Sequence, residues 1–115
     1  MIIKNINTVK SEKLEYGSRG TFLITKNDNS DIMAAYSYQL PNEEVKRHIH
    51  KTSDAIYYIL KGTGLMTIED ETETIKAGDT IFIPKNAEHE MKNNGSSNLE
   101  YMVFAKSEFD TVFID

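Results

Sequence analysis

The sequence predicts an all-β domain in which two stacked sheets, or a barrel, enclose the apolar side chains. Three observations lead there. Runs rich in isoleucine, tyrosine, phenylalanine and threonine recur along the chain, Gly, Pro, Asn and Asp separate them, and the runs are four to nine residues long. Eight or nine such strands in 115 residues cannot lie in one open sheet with a single solvated face and still bury their aromatics, whereas two layers can.

Taken in order, the predicted strands are GTFLITK from Gly20, IMAAYSYQL from Ile32, VKRHIH from Val45, AIYYILKG from Ala55, GLMTIED from Gly64, ETIKAG from Glu73, TIFIP from Thr80, HEMKNN from His89 and LEYMVFAK from Leu99. The acidic stretch EDETET between Ile68 and Ile75 has β-prone runs on both sides, which predicts a hairpin turn rather than a helix. The segment Val9 to Arg19 fits either a short helix or irregular chain.

Length and charge restrict the function classes. A chain of 115 residues and 13.1 kDa is one domain's worth of sequence, taken as 1–115. Thirteen basic against eighteen acidic residues leave a charge of −5, with no basic block to follow a phosphate backbone, so nucleic acid is not an expected partner. No run of eighteen apolar residues and no signal-like start is present, so a soluble, cytoplasmic protein without membrane contact is expected. With no cysteine, any metal must sit on nitrogen and oxygen donors.

The chemistry-bearing candidates are histidines. His48 and His50 are two apart, so on an extended strand both point to the same side, roughly 6.5 to 7 Å apart along the chain. His89 lies past the proline-bounded turn after TIFIP, where the chain can fold back beside the first pair. Alternating histidines are also common on ordinary surfaces, so the pair alone does not decide the matter.

The surrounding pattern resembles the two motifs of the cupin superfamily. His48, His50 and Gly62 fit the first; Gly78, Pro84, His89 and Asn93 fit the second, with Asn86 where the family usually has glycine, a substitution that left-handed turn geometry tolerates. The resemblance spans about Tyr38 to Phe104. It implies a small double-sheet jelly-roll barrel, a divalent transition metal such as zinc, iron, manganese or nickel on three histidines and a glutamate, and a homodimer. Counting back from Gly62, the glutamate position falls at Ala55, while Asp54 is one residue earlier and reaches the same side only if a bulge or loop realigns it. Asp54 is therefore a fourth candidate ligand, and Gln39 on the preceding strand a weaker oxygen donor.

Strand parity puts Ala55, Tyr57 and Ile59 on one side, so Tyr57 faces the ligand position and is the candidate catalytic residue, to orient a substrate or move a proton. Met33, Tyr36, Tyr38, Met66, Met102 and Phe104 are expected to line the cavity or fill the core. Three neutral imidazoles leave an ion with open positions and undiminished charge, which suits a small, anionic oxygen-bearing ligand. Two functions follow: a metal-dependent enzyme on a small organic substrate (oxygenase, isomerase, cyclase or lyase), or a non-enzymatic ligand-binding or sensor module. Proton competition with the metal is expected as pH falls through roughly 6 to 7. For the dimer, MIIKNI is a candidate strand.

Overall fold

The computed structural model describes residues 1–114. The strands are β1 (Glu12–Lys13), β2 (Arg19–Ile24), β3 (Ile32–Gln39), β4 (Glu44–Ile49), β5 (Ala55–Lys61), β6 (Thr63–Ile68), β7 (Glu71–Lys76), β8 (Thr80–Ile83), β9 (His89–Lys92), β10 (Leu99–Lys106) and β11 (Val112–Phe113), with a 3-10 turn at Lys26–Asp28. All nine predicted strands form. The pair β1 and β11 was not foreseen, and the stretch Val9 to Arg19 turns out to hold β1 and turns rather than a helix. Met1 to Asn5 form no strand.

One sheet has the order β1-β2-β3-β10-β5-β8, the other β11-β4-β9-β6-β7, and every pairing is antiparallel. The two are not closed into a barrel, which corrects the barrel implied by the resemblance: each ladder joins strands of one sheet only, leaving β1 and β8, and β11 and β7, as edges. The edge strands β1 and β11 have two residues each, too short to carry a staggered ladder across two layers about 10 Å apart. The molecule is an open double-sheet jelly roll.

Alternation sets the faces. Along β5, Ala55, Tyr57 and Ile59 are buried while Ile56, Tyr58 and Leu60 are exposed. The inward residues meet Val45, Met66, Met91, Leu99 and Tyr101 in the core between the sheets. Met33 and Met66 are buried as expected, but Tyr36, Tyr38, Met102 and Phe104 occupy the alternate positions of β3 and β10, on the outer face of the six-stranded sheet. There the register aligns Ala34, Phe104, Ile56 and Phe82 in one row across four strands.

A buried polar tie joins the layers. Gln39, fully buried, donates from Nε2 to the carbonyls of Glu43 (3.1 Å) and Met91 (3.2 Å), and its Oε1 accepts from the Tyr101 hydroxyl at 2.8 Å. Asn93 Nδ2 donates to the carbonyls of Gln39 and Ser97, both at 2.9 Å. Asn93 Oδ1 in turn accepts from the Gly95 amide, so every side-chain amide nitrogen and oxygen of Gln39 and Asn93 has a partner, which is what makes a polar core tolerable.

Two local features aim the second motif. Glu69, at the tip of the β6–β7 hairpin predicted from the acidic stretch, takes φ 54°, and its side chain accepts from the Glu88 amide at 2.9 Å while its own amide donates to the Glu88 carbonyl at 2.8 Å. Asn86 adopts φ 69°, the left-handed geometry expected of it, and its amide donates to the His50 carbonyl at 2.8 Å. The chain before His89 is thus pinned both to a hairpin tip and to His50.

Candidate metal centre

His48 lies on β4, His50 one residue past its end, and His89 opens β9; in the β4–β9 ladder His48 and His89 are direct partners. Ring centroids are 4.1 Å apart for His48 and His89, 4.8 Å for His48 and His50, and 5.3 Å for His50 and His89. One nitrogen from each ring lies within 4.8 Å of the other two. Strand alternation brings the first two rings together, and cross-strand pairing supplies the third.

Each ring is oriented by a backbone carbonyl. His48 Nδ1 contacts the Lys46 carbonyl at 2.6 Å, His50 Nδ1 the Asp110 carbonyl at 2.5 Å, and His89 Nδ1 the Ala87 carbonyl at 3.0 Å. A carbonyl only accepts, so each Nδ1 carries a proton, and in its neutral form each ring turns an Nε2 lone pair inward. His48 Nε2 and His50 Nε2 then face one another at 3.2 Å with no proton to share, and His89 Nε2 is buried with no hydrogen-bond partner. Three converging lone pairs, one of them orphaned, fit a cation. The tautomer-fixing carbonyls are the outer contacts that ligating imidazoles require.

The electrostatics agree. Burial, with the neighbouring His50 adding to it and the Lys46 carbonyl opposing it, pushes the His48 pKa down to about 4. Burial, then the charge of His48, takes His89 down to about 3. Both rings stay neutral and ligand-competent well below neutrality.

Residues 37–105 match the Cupin domain family, 69 of the chain's 115 positions. The chain belongs to the cupin family. Among relatives of this cupin, an uncharacterised protein of Methanocaldococcus jannaschii is 47% identical over 55 residues, 48% of this chain and 44% of that protein. An oxalate-binding protein of Thermotoga maritima is 36% identical over 62 residues, 54% of this chain and 51% of that protein. In both cases the match spans about half of the relative's length. Among solved structures, the polyketide cyclase RemF of Streptomyces resistomycificus superposes with a TM-score of 0.89 at 22% identity, covering 100% of this chain and 86% of that one. That likeness establishes the shared fold.

The remaining candidates of this cupin divide. Ala55 does line the cavity beside His48 and His50, so the family's carboxylate position carries a methyl group here. Asp54 is turned the other way: its Oδ1 accepts from the Lys85 amide at 2.8 Å, and it is not among the side chains that converge on the cluster. No bulge realigns it, because Ala55 enters β5 in register with Ile83. The Gln39 amide is committed on both ends to the inter-sheet tie. Tyr57 faces inward, its ring 6.5 Å from that of His89 and stacked on Tyr101 at 5.2 Å. Burial raises its phenol pKa, so it is held protonated.

Three contributors carry no motif signal. Tyr16, between β1 and β2, stacks on His48 at 5.3 Å and 21°, with its own pKa raised to about 12 by burial and Glu15. Phe109 meets His50 edge-on at 5.3 Å. Asp110 gives His50 its carbonyl, and its Oδ1 accepts from the Lys51 amide (2.9 Å), the Thr52 amide (3.1 Å) and the Thr52 hydroxyl (3.0 Å). The segment after β10 thus wraps over the histidines before β11 pairs with β4.

Proposed function

We propose that this cupin is a metal-dependent enzyme for a small oxygen-bearing organic substrate, with a divalent ion on the Nε2 atoms of His48, His50 and His89. The supporting observation is that three Nδ1 atoms are each spent on a backbone carbonyl, which leaves three inward lone pairs and an orphaned His89 Nε2. An ion bound there supplies Lewis-acid polarisation of a substrate carbonyl or carboxylate oxygen.

The chain's own groups define the rest. Neutral imidazoles subtract nothing from the ion's charge, and Ala55 adds no carboxylate, so the site favours an anionic oxygen donor. Tyr57, held protonated by burial, serves as a hydrogen-bond donor to the substrate rather than as an acid or a base. Tyr16 keeps the His48 ring oriented, and Met33, Ala35, Val103 and Ala105 give the cavity apolar walls. Asp54 remains outside this assignment. The oxalate-binding relative supports a small anionic ligand. It also favours a second reading, a binding or sensor module that holds such an anion without converting it.

Element analysis of untagged protein followed by metal titration tests the centre. Incubation of the loaded protein with oxalate and other small keto and dicarboxylic acids, read by NMR, separates the two functions: new products support the enzyme, and tight binding with recovery of unchanged ligand supports the module.

A cytoplasmic location is part of the same proposal, and among the described residues no helix is long and apolar enough to cross a membrane. A homodimer fits the outer face of the six-stranded sheet, where Ile32, Ile56, Tyr58, Leu60 and Phe82 are exposed as a contiguous apolar patch.

A further inference from the structure

Two spaces meet at one side chain. The cavity beside His48 and His50 has a free volume of about 20 Å³. That accommodates a water, for which about 10–15 Å³ is the minimum, but no organic acid. Outside it, a surface cleft of about 1140 Å³ is lined by Lys26, Asp31, Thr52, Lys106, Ser107 and Asp110, among others. Phe109 is the residue that lines both. Its ring is half-buried and meets the edge of His50.

The backbone on either side of that ring is tethered. The Ser107 amide donates to the Asp31 carbonyl at 3.0 Å, and Asp110 is held by Lys51 and Thr52 on one side and by His50 Nδ1 on the other. A side-chain rotation at Phe109 therefore opens the cavity while Asp110 keeps His50 in its ligating orientation. A displacement of the whole segment would release His50 instead.

We propose that Phe109 is the gate and size-selecting residue of the histidine cavity: small ligands pass from the outer cleft to the imidazoles by rotation of this ring, with Asp110 remaining latched. The inference deepens the metal-site reading, since it concerns access to the same histidine cluster by way of His48 and His50, but the passage can be measured without metal.

The test uses diethyl pyrocarbonate, which acylates neutral imidazole nitrogen and is followed by absorbance. His48 and His50 line this cavity, and His89, the chain's one other histidine, packs against them with its Nε2 buried, so the signal reports this cluster alone. With the apo protein at pH 7, Phe109→Ala should label at least about tenfold faster than wild type, and Phe109→Trp about threefold slower. Phe22→Ala, which removes another cavity-lining ring, should stay within about twofold. Thermal melting of each variant verifies that labelling occurs in folded protein. Rates for both Phe109 variants within twofold of wild type, or equal acceleration by Phe22→Ala, overturn the gate. So does Asp110→Ala exceeding Phe109→Ala, because access would then follow the whole segment. Saturating zinc supplies the separate arm: protection supports the metal reading, and absence of protection with the Phe109 ordering intact removes the metal while the gate stands.

Discussion

His48 and His89 face each other as register partners across β4 and β9, with ring centroids 4.1 Å apart and each residue only 1% exposed. The two motifs of the sequence therefore meet through the backbone ladder itself. Side-chain convergence is a by-product of strand pairing, and it places two of the three ligand candidates before any ion arrives.

Removing one imidazole should disable the centre while leaving the fold. His50→Ala is expected to lower metal affinity at least about a hundredfold, with circular dichroism unchanged. Asp54→Ala should change affinity less than about threefold, because that carboxylate holds the Lys85 amide. Calorimetric metal titration measures both, and a wild-type stoichiometry and affinity in the His50 variant would falsify the assignment.

The depressed histidine pKa values predict acid sensitivity of the apo protein. His48 and His89 titrate near 4 and 3 when folded, against about 6.5 when unfolded. The unfolded state therefore binds more protons below pH 6.5. Stability conferred by these groups is complete above that value and declines as pH falls through the window toward 4 and then 3, by up to about 1.4 kcal/mol per pH unit for each ring. Urea midpoints between pH 7 and pH 4.5 should fall accordingly.

The same shifts move the proton competition away from pH 6 to 7. At pH 6, three histidines of ordinary pKa would release more than two protons on binding a metal. Here two of the three are already neutral, so fewer than about one proton should be released. The buffer dependence of the binding enthalpy counts them.

Asp110 acts on the centre through His50. Asp110→Ala removes the acceptor for three donors on Lys51 and Thr52, which loosens the segment whose carbonyl orients His50. The expected result is a metal affinity weaker by about tenfold. A control that keeps the carboxamide acceptor, Asp110→Asn, should recover most of it.

Tyr101→Phe probes the tie between the sheets. The change strips the Gln39 Oε1 of its donor in a fully buried place, which should destabilise the protein by about 1–3 kcal/mol. Denaturant unfolding should show this with the metal affinity unaltered.

What could be read from the sequence was whatever repeats with the strand period. The nine longer strands, the inward set Ala55, Tyr57 and Ile59, and the turn at Asn86 all follow from alternation and from residues with a marked conformational preference. Closure does not, since alternation tells which face is inward and not whether two sheets join; the two-residue strands β1 and β11 exist only because a neighbour pairs with them. The histidines were legible because their residue type carries the chemistry. The Asp110 carbonyl was not, because any residue offers one, and its position 60 residues from His50 is set by the folded segment. Tyr57 was read correctly as inward, but the direction of its pKa depended on how completely it is enclosed.

The pairing of β4 with β9 has a kinetic side. Positions 48 and 89 lie 41 residues apart, so a nascent or partly folded chain presents two histidines near one another and lacks the third until this long-range ladder closes. An ion that needs all three rings gains its full hold only on the finished structure. Its presence should accordingly prolong the lifetime of the native protein far more than it hastens the protein's formation.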